Sequence, residues 1–538
     1  MGGQGQTAAK ETAPRAWRRL ATLCVAFFMV ACATQDTRAP ANQDLSLANR
    51  LFSVGYRDVA DIYIDDVAVS DLAVAGLNGL SSIDSDLAVS RSGGRILMSI
   101  DGQQAGAFAA PAVGDTEGWG NLTAAALNIG RVRSAELDAA EPERLYEVVF
   151  DGMLSELDGF SRYAGREEAR ENRASRDGFG GIGVRIRLID QGVRILSVME
   201  DTPAERSGLR DNDVITEIDG EPTVGLSQRD VVRRLRGPLR SRVALTVKRD
   251  SAPRPLNIQV VRAHIVPQTV RYSRIGKVAH IRVSGFNQST TRTLRDKMKL
   301  ATRDLGPELA GFVLDLRGNP GGLLDQAVAV SDLFVTGGRI VSTHGRHPDS
   351  HQYFDAEPDD VAKHKPVVVL VNGNSASASE IVAAALQDAG RAVVVGTSSF
   401  GKGTVQTVLR LPNEGELTLT WARFHAPSGY GLNGRGVMPD ICTAGDMASA
   451  EEVLERLRRG LLPVDRATVR KELDPVDGAA IDSFRAACPP GRGEPDVDLE
   501  VARRLLENPA LFARALGAEE PDTARASARQ PVIAHSPE

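Results

Sequence analysis

The chain has 538 residues, 42% of them apolar and 25% charged, with a formal net charge of −6. That length exceeds one ordinary domain, so about two to four are expected, in a protein with the composition of a soluble globular chain. The mild negative charge argues against a partner held by phosphate neutralisation, which excludes nucleic acid.

Arg15, Arg18 and Arg19 precede an uncharged apolar run, Leu20 to Ala31. The run is shorter than the ~20 residues a spanning helix needs. Positive residues, a short apolar run and then small residues describe a secretory signal over residues 1–32. Two cleavage readings compete. Met29-Val30-Ala31-Cys32 resembles a bacterial lipoprotein box with Cys32 acylated, with methionine where leucine is usual. Ala31-Cys32-Ala33 fits a small-x-small cleavage site instead. Both imply export to a periplasm, free or membrane-anchored as a lipoprotein. Only Cys442 and Cys488 remain in the body of the mature chain. An oxidising compartment would let them pair, so a Cys442–Cys488 disulfide is expected.

Residues 33–50 read as a polar linker. Residues 51–172 read as mainly helical, with an amphipathic helix over Leu145–Leu157. They carry an insertion within 81–143: Arg91–Asp101 is hairpin-like and Gly102–Gly120 loop-like. From Gly178 to about Val261 short strands alternate with turns: Ile182–Ile189, Val193–Met199, Asp213–Ile218, Val243–Lys248 and Leu256–Val261. Short helices fit Pro203–Leu209 and Leu226–Arg236. This is a small, separate module. From Val278 strand and helix alternate, with strands Val278–Val283 and Phe312–Leu316 and a helix over Leu323–Leu333, an α/β layer pattern. After Asp440 the chain reads as helical and charged, and the last twenty or so residues as disordered.

The chemistry concentrates in Val367–Gln406. A buried-type strand, Val367–Val371, leads through Asn372-Gly373-Asn374-Ser375-Ala376-Ser377-Ala378-Ser379 into a helix over Glu380–Asp388. A second apolar strand, Val393–Val395, precedes Gly401-Lys402-Gly403. Gly396 to Lys402 imitates the start of a phosphate-binding loop, but Gly403 stands where Ser or Thr would hold magnesium, and no helix follows. Serine on a strand-to-helix turn with a lysine nearby suggests nucleophilic catalysis with an amine as base. A lysine can take that proton only if burial lowers its pKa. Lys402 has apolar neighbours in Phe400 and Val405 and no carboxylate within five residues along the chain. Taken singly, Ser375, Ser377 and Ser379 each read as helix caps, and residue spacing does not choose among them. A second turn, Asp315-Leu316-Arg317-Gly318-Asn319-Pro320-Gly321-Gly322, joins a strand to a helix, and its paired glycines expose N–H groups suited to an oxyanion.

These motifs together resemble the carboxyl-terminal processing peptidases, also called tail-specific proteases. The resemblance rests on D-L-R-G-N-P-G-G, N-x-x-S-A-S-A-S-E-I, F-G-K-G-T-V-Q and P-S-G…G-x-G-V-x-P-D (Pro427 to Asp440), and covers about 145–441. The preceding module resembles a PDZ domain, with Gly178–Val184 matching its carboxylate-binding loop and Asn212 where glycine is usual. Leu157–Tyr163 resembles the family's L-D-P-H-S-x-Y, with Gly159 and Phe160 in place of Pro-His.

The resemblance implies a multidomain α+β protein: an α/β, crotonase- or ClpP-like serine protease core, a PDZ domain, and helical N- and C-terminal regions. The expected boundaries are 1–32 signal, 33–50 linker, 51–172 helical region, 173–264 PDZ domain, 265–441 protease core, 442–517 helical extension and 518–538 disordered tail. It implies Ser377 as nucleophile, Lys402 as base and Gln406 as the residue that orients the lysine. Backbone oxyanion donors would come from Ala378 and from Gly321 or Gly322. Gly180, Gly181, Ile182, Gly183 and Val184 would bind a substrate C-terminus. Asp388 matches a family aspartate, but eleven residues along a helix places it about 16 Å from Ser377, a structural position. No metal or cofactor is implied. The expected activity is that of an exported serine endopeptidase acting on proteins with free C-termini through an acyl-enzyme. The rival reading is a catalytically inactive PDZ scaffold. An adaptor lipoprotein is a candidate partner, and the helical ends, 51–160 and 447–515, are the expected contacts of a homodimer.

Overall fold

A computed structural model describes residues 41–445, 449–461, 464–470, 473, 477–491 and 495–517. The expected signal, with Cys32, and the expected tail 518–538 lie outside the described residues.

The helix Ala41–Ile62 replaces the second half of the expected linker. Leu51, Phe52, Tyr56 and Val59 recur at helical spacing and are buried, so this stretch has an apolar stripe that must find a partner. The partner is the helix Thr116–Arg133, where the hydroxyls of Tyr56 and Thr123 share a 3.0 Å hydrogen bond. Gly102–Gly120 is likewise not a loop. Leu87–Ser92, Arg95–Ile100 and Gln103–Ala109 form an antiparallel meander, and Asp115 caps the helix at Thr116 by accepting from the Gly118 N–H at 2.8 Å. The small side chains of Gln103–Ala109 carry little of the alternation that marks a strand. The helix Pro142–Leu154 completes this unit, and the short strand Arg162–Ala164 ties it to the core by pairing with Glu416–Thr418.

The next module is a five-strand path, with Leu256–Val261, Arg242–Lys248, Val214–Ile218, Gly192–Val198 and Val184–Ile189 in spatial order, plus helices Pro203–Arg206 and Gln228–Leu235. Its core is Ile182, Val193, Ile195, Ile215, Val231, Val243 and Leu245. The chain enters and leaves it through one two-stranded ribbon, Phe179–Gly181 against Ala263–Ile265.

The core sheet orders Val270–Ile275, Val278–Val283, Gly311–Asp315, Val367–Val371, Val393–Gly396 and Ile441–Cys442. All neighbours are parallel except the first pair. Helices Thr290–Leu305, Leu324–Asp332 and Ala378–Asp388 cover one face. Ala450–Arg458, Pro495–Glu507 and Pro509–Ala515 cover the other, where Val453, Leu457, Val501 and Leu505 meet Val313, Val368, Val393 and Val395. The C-terminal extension is thus the second helical layer that a parallel sheet requires. A second sheet, Gln352–Asp355, Arg339–His344, Glu416–His425 and Thr404–Arg410, stands beside the first and continues the chain from the lysine loop.

The layers are also joined by charge. Asp315 accepts from Arg317 Nη2 at 2.8 Å and is bonded to His280 Nε2 at 3.0 Å, while Arg317 Nη1 reaches Asp498 of the extension at 3.1 Å. Burial opposes the Asp315 charge, but the His280 and Arg317 hydrogen bonds outweigh it and hold its pKa far below the carboxylate range. Both carboxylates and Arg317 are buried. Asp498→Ala should therefore lower the unfolding free energy by about 3 kcal/mol or more in denaturant titrations, because Arg317 loses one of its buried counter-charges.

Candidate active site

The strand Val367–Val371 is apolar and buried on both faces. It delivers the chain to Asn372, and the next helix begins at Ala378. Ser377, between them, has φ 57° and ψ −115°. Such a conformation costs a non-glycine residue on the order of 1–3 kcal/mol and persists only where its surroundings impose it. The three serines now separate. Ser375 is buried, accepts from the Asn372 N–H at 3.0 Å and donates to the Leu316 carbonyl at 2.8 Å. Ser379 is buried and donates to the Asn319 carbonyl at 2.8 Å. Ser377 alone of the three keeps part of its surface.

What imposes the turn is Glu380, three residues on and fully buried. Its Oε2 accepts the Ser377 N–H at 2.7 Å and the Lys402 N–H at 2.9 Å. Its Oε1 accepts the Gly401 N–H at 2.7 Å and the Ser399 hydroxyl. One carboxylate therefore fixes the backbones of Ser377 and Lys402 relative to each other. Burial pushes its pKa up, and the hydrogen bonds from Ser399, Gly401, Ser377 and Lys402 pull against that. Glu380 is not among the site residues expected from the sequence, although as the fourth residue of a Ser-x-x-Glu capping box it was legible. Its link to Lys402, twenty-two residues away along the chain, was not.

Burial lowers the pKa of Lys402, and the Arg162 charge lowers it further, while Asp158 and Glu380 act the other way. The aromatic ring over its ammonium is Phe160, 4.9 Å from Nζ to the centroid. Phe400, the expected apolar neighbour, is 51% exposed. Phe160, Arg162 and Asp158 all come from Leu157–Tyr163, so the N-terminal unit supplies one wall of the lysine's surroundings. Gln406 lies on the strand Thr404–Arg410, and its Nε2 donates to Thr404 Oγ1 at 2.8 Å and Thr420 Oγ1 at 3.1 Å. In this structure Lys402 Nζ is hydrogen-bonded to neither Ser377 nor Gln406.

The glycine turn sits directly against Ser377. Gly321 has φ 103°, and a Cβ there would lie 2.8 Å from the Ala376 carbonyl oxygen and 2.9 Å from Ser377 Cβ. Gly322, at φ 146°, passes the Phe286 backbone so closely that a Cβ would lie 2.1 Å from its oxygen. Asn319 zips the two turns together. Its carbonyl accepts from the Ala376 N–H at 3.0 Å, and its Oδ1 takes the Gly321 N–H at 2.9 Å. The Gly321 N–H is thus occupied, whereas among the backbone hydrogen bonds of the described residues none takes up the N–H groups of Gly322 and Ala378.

In the small module, Gly180 and Gly181 lie in the entry ribbon, and Ile182, Gly183 and Val184 lead to the strand Val184–Ile189 at the end of the strand order. A cavity of about 100 Å³ between this loop and the helix Gln228–Leu235 is lined by Ile182, Val184, Ile186, Val232 and Leu235. Phe179 and Arg236 also line it, with the Arg236 guanidinium stacked 3.9 Å from the Phe179 ring centroid. Asp388 accepts from Ser428 and pairs with Arg470 at 3.0 Å, away from these groups. Cys442 and Cys488 form a disulfide with a Cα separation of 5.8 Å.

The structure thus brings the strained serine turn, the glycine turn and the lysine loop together around Glu380, and the chain is similar to known proteins. The Peptidase family S41 model matches residues 277–443, and a PDZ domain model matches 194–249. Over 386 residues the chain is 38% identical to a carboxy-terminal-processing protease of Bartonella bacilliformis, covering 71% of this chain and 87% of that one. It is 34% identical over 305 residues to a protein of Staphylococcus aureus named "Probable CtpA-like serine protease", covering 56% of this chain and 60% of the relative. Among solved structures, a photosystem II D1 C-terminal processing protease aligns at 25% identity with a TM-score of 0.37, covering 73% of this chain and 92% of that one.

The chain belongs to the carboxy-terminal-processing proteases of Peptidase family S41. It is a serine protease with a PDZ domain ahead of its peptidase core.

Gly321→Ala should remove nearly all proteolysis while leaving a folded protein, because its Cβ collides with the serine turn at a backbone angle that disfavours side chains. A peptide-cleavage assay beside a thermal melt checks both halves. Phe160→Leu removes an aromatic face that favours the charged amine. The acid-side midpoint of the pH–rate profile should fall by a few tenths, roughly 0.5 unit, since such contacts are worth about 0.5–1 kcal/mol.

Proposed function

We propose that this protein is an exported serine endopeptidase that captures the C-termini of other proteins in its PDZ domain and cleaves them with Ser377 and Lys402. The observation that carries this reading is Glu380, whose one carboxylate oxygen holds the N–H groups of both residues. The Ser377 hydroxyl attacks the substrate carbonyl while its proton passes to the neutral Lys402 amine. The oxyanion that forms is met by the Gly322 and Ala378 N–H groups. The tetrahedral species collapses to an ester on Ser377 Oγ, and the lysine returns the proton to the leaving amine. Water, deprotonated by the same lysine, then hydrolyses the ester and regenerates the hydroxyl. Gln406 orients the amine once substrate is bound: its Nε2 is occupied by Thr404 and Thr420, and its Oε1 would be the atom that accepts from the lysine. Hydrogen bonds of this kind are often loose in an empty site and tighten with substrate.

The PDZ domain supports the choice of substrate. Its outer strand, Val184–Ile189, has an edge that a peptide can extend, the N–H groups of the Gly180–Val184 loop suit a terminal carboxylate, and the small apolar cavity suits an aliphatic last side chain. The basic-then-apolar N-terminal sequence supports export, and mass spectrometry of the mature N-terminus will separate an acylated Cys32 from simple cleavage. The rival, an inactive scaffold, would keep the PDZ groove but would have no use for a buried glutamate that joins a strained serine to a lysine.

Wild type and Ser377→Ala should be compared on an unfolded protein with an apolar C-terminus. The variant is expected to be inert, and equal cleavage by both would sink the protease reading. The base requires the neutral amine, so activity rises as pH climbs through the lowered pKa of Lys402. Arg162→Gln removes one cause of that lowering. Its pH–rate midpoint should move up and its rate at neutral pH should fall, and an unmoved midpoint would contradict Lys402 as base.

A further inference from the structure

The helix Gly478–Ala486 lies outside the stretch matched by the peptidase family model, 277–443. It nevertheless reaches the lysine loop. Arg485 Nη1 donates to the carbonyls of Gly434 at 3.2 Å and Arg435 at 2.8 Å. The Gly434 N–H donates to the Gly401 carbonyl at 2.9 Å, and the Gly401 N–H to Glu380 at 2.7 Å. Unbroken hydrogen bonds thus run from Arg485 through Gly434 and Gly401 to the carboxylate that holds Ser377 and Lys402. A parallel branch passes from the Val437 N–H to the Ser399 hydroxyl at 2.7 Å, and from that hydroxyl to Glu380. The fit is close: a Cβ on Gly401 would stand 2.9 Å from the Gly434 carbonyl and 3.2 Å from Arg485 Nη1.

The end of this helix is pinned to the core. Cys488 is fully buried and bonded to Cys442, in the edge strand beside Gly396. Three residues on, the Gly491 carbonyl accepts from the Gly373 N–H at 2.8 Å and the Thr397 hydroxyl at 3.1 Å. Gly373 opens the serine turn, so the pinned segment touches both strand-to-loop exits that make the site.

We propose that Arg485 is a positioning residue for the reaction and that the Cys442–Cys488 disulfide holds it in place, so that the oxidised chain is the fully active form. This rests on Ser377 and Lys402 as nucleophile and base. A small dithiol would break the S–S bond, giving two cysteine thiols from two electrons and two protons as the reductant closes to its own disulfide. The helix end is then free to leave the lysine loop. Water enters, Lys402 regains an ordinary pKa, and less of the neutral base is present at neutral pH.

The test uses the mature full chain and a peptide substrate with an apolar C-terminus, reading kcat, KM, the pH–rate midpoint and cooperative unfolding. Arg485→Gln is expected to lower kcat at neutral pH by about tenfold or more, since small misplacements of catalytic groups are that costly. KM should change little and the midpoint should rise, while Arg485→Lys, which keeps a donor, should recover much of the rate. Wild type treated with dithiothreitol should shift the same way, recover on reoxidation, and match untreated Cys442→Ser/Cys488→Ser, which the reductant leaves unaffected. Unchanged kcat and midpoint in Arg485→Gln and in reduced wild type would overturn the proposal. So would a loss that tracks the unfolded fraction with the midpoint unmoved. Ser377→Ala is the control: cleavage by it would refute the serine–lysine reading itself, whereas an inert Ser377→Ala beside an unaffected Arg485→Gln refutes only the role of Arg485.

Discussion

A single buried carboxylate sets the geometry of this protein's site. Glu380 begins a helix, and a glutamate in the first turn normally serves only that helix. Here it also accepts from the loop that carries Lys402, a segment that arrives from the next strand of the sheet. Desolvating a carboxylate is unfavourable, and the donors around it offset that cost only while every one of them stays in place. The serine turn can hold its strained angle because the same carboxylate that caps the helix also closes the distance to the lysine loop.

Around that constraint the fold assembles pieces from distant parts of the chain. The parallel sheet supplies two neighbouring strand exits, after Val371 and after Gly396. The neighbouring exit, after Asp315, supplies the glycine turn, which Asn319 fastens to the serine turn from below. The N-terminal unit brings the Phe160 ring against the lysine ammonium and the Arg162 charge near it. Burial and the Arg162 charge both lower the pKa of Lys402. The two-layer covering of the sheet uses the C-terminal helices, so the extension is as much a part of the core as the crossover helices are.

The fold and the site differ in how far the residues disclosed them. Long apolar runs such as Val367–Val371 and Val393–Val395 mark strands buried on both faces, and structure and sequence coincide there. The helix at Ala41 was obscured by the polar residues that open it, and the strand Gln103–Ala109 by small side chains that weaken a period of two. Spacing left Ser375, Ser377 and Ser379 open, and the family resemblance pointed to Ser377; what the sequence did not disclose is that the hydroxyls of Ser375 and Ser379 are spent on carbonyls of the neighbouring turn. The split between Gly321 and Gly322 required knowing where Asn319 Oδ1 goes. Glu380 and Phe160 act on Lys402 across long sequence separations, and separations of that kind leave no periodic trace.

The mounting of the PDZ domain has a mechanical meaning. The helix Arg166–Asp177 runs directly into the entry ribbon, and Arg173 and Arg176 both grip the buried Glu416, each at 2.9 Å. The exit strand Ala263–Ile265 pairs back on the entry strand Phe179–Gly181. The domain is therefore joined through a double-stranded ribbon, next to a helix anchored to the strand Glu416–His425, which pairs with the strand bearing Gln406. Under the proposed capture of a C-terminus in this domain, such a mount would act as a gauge of how far from that end the chain is cut.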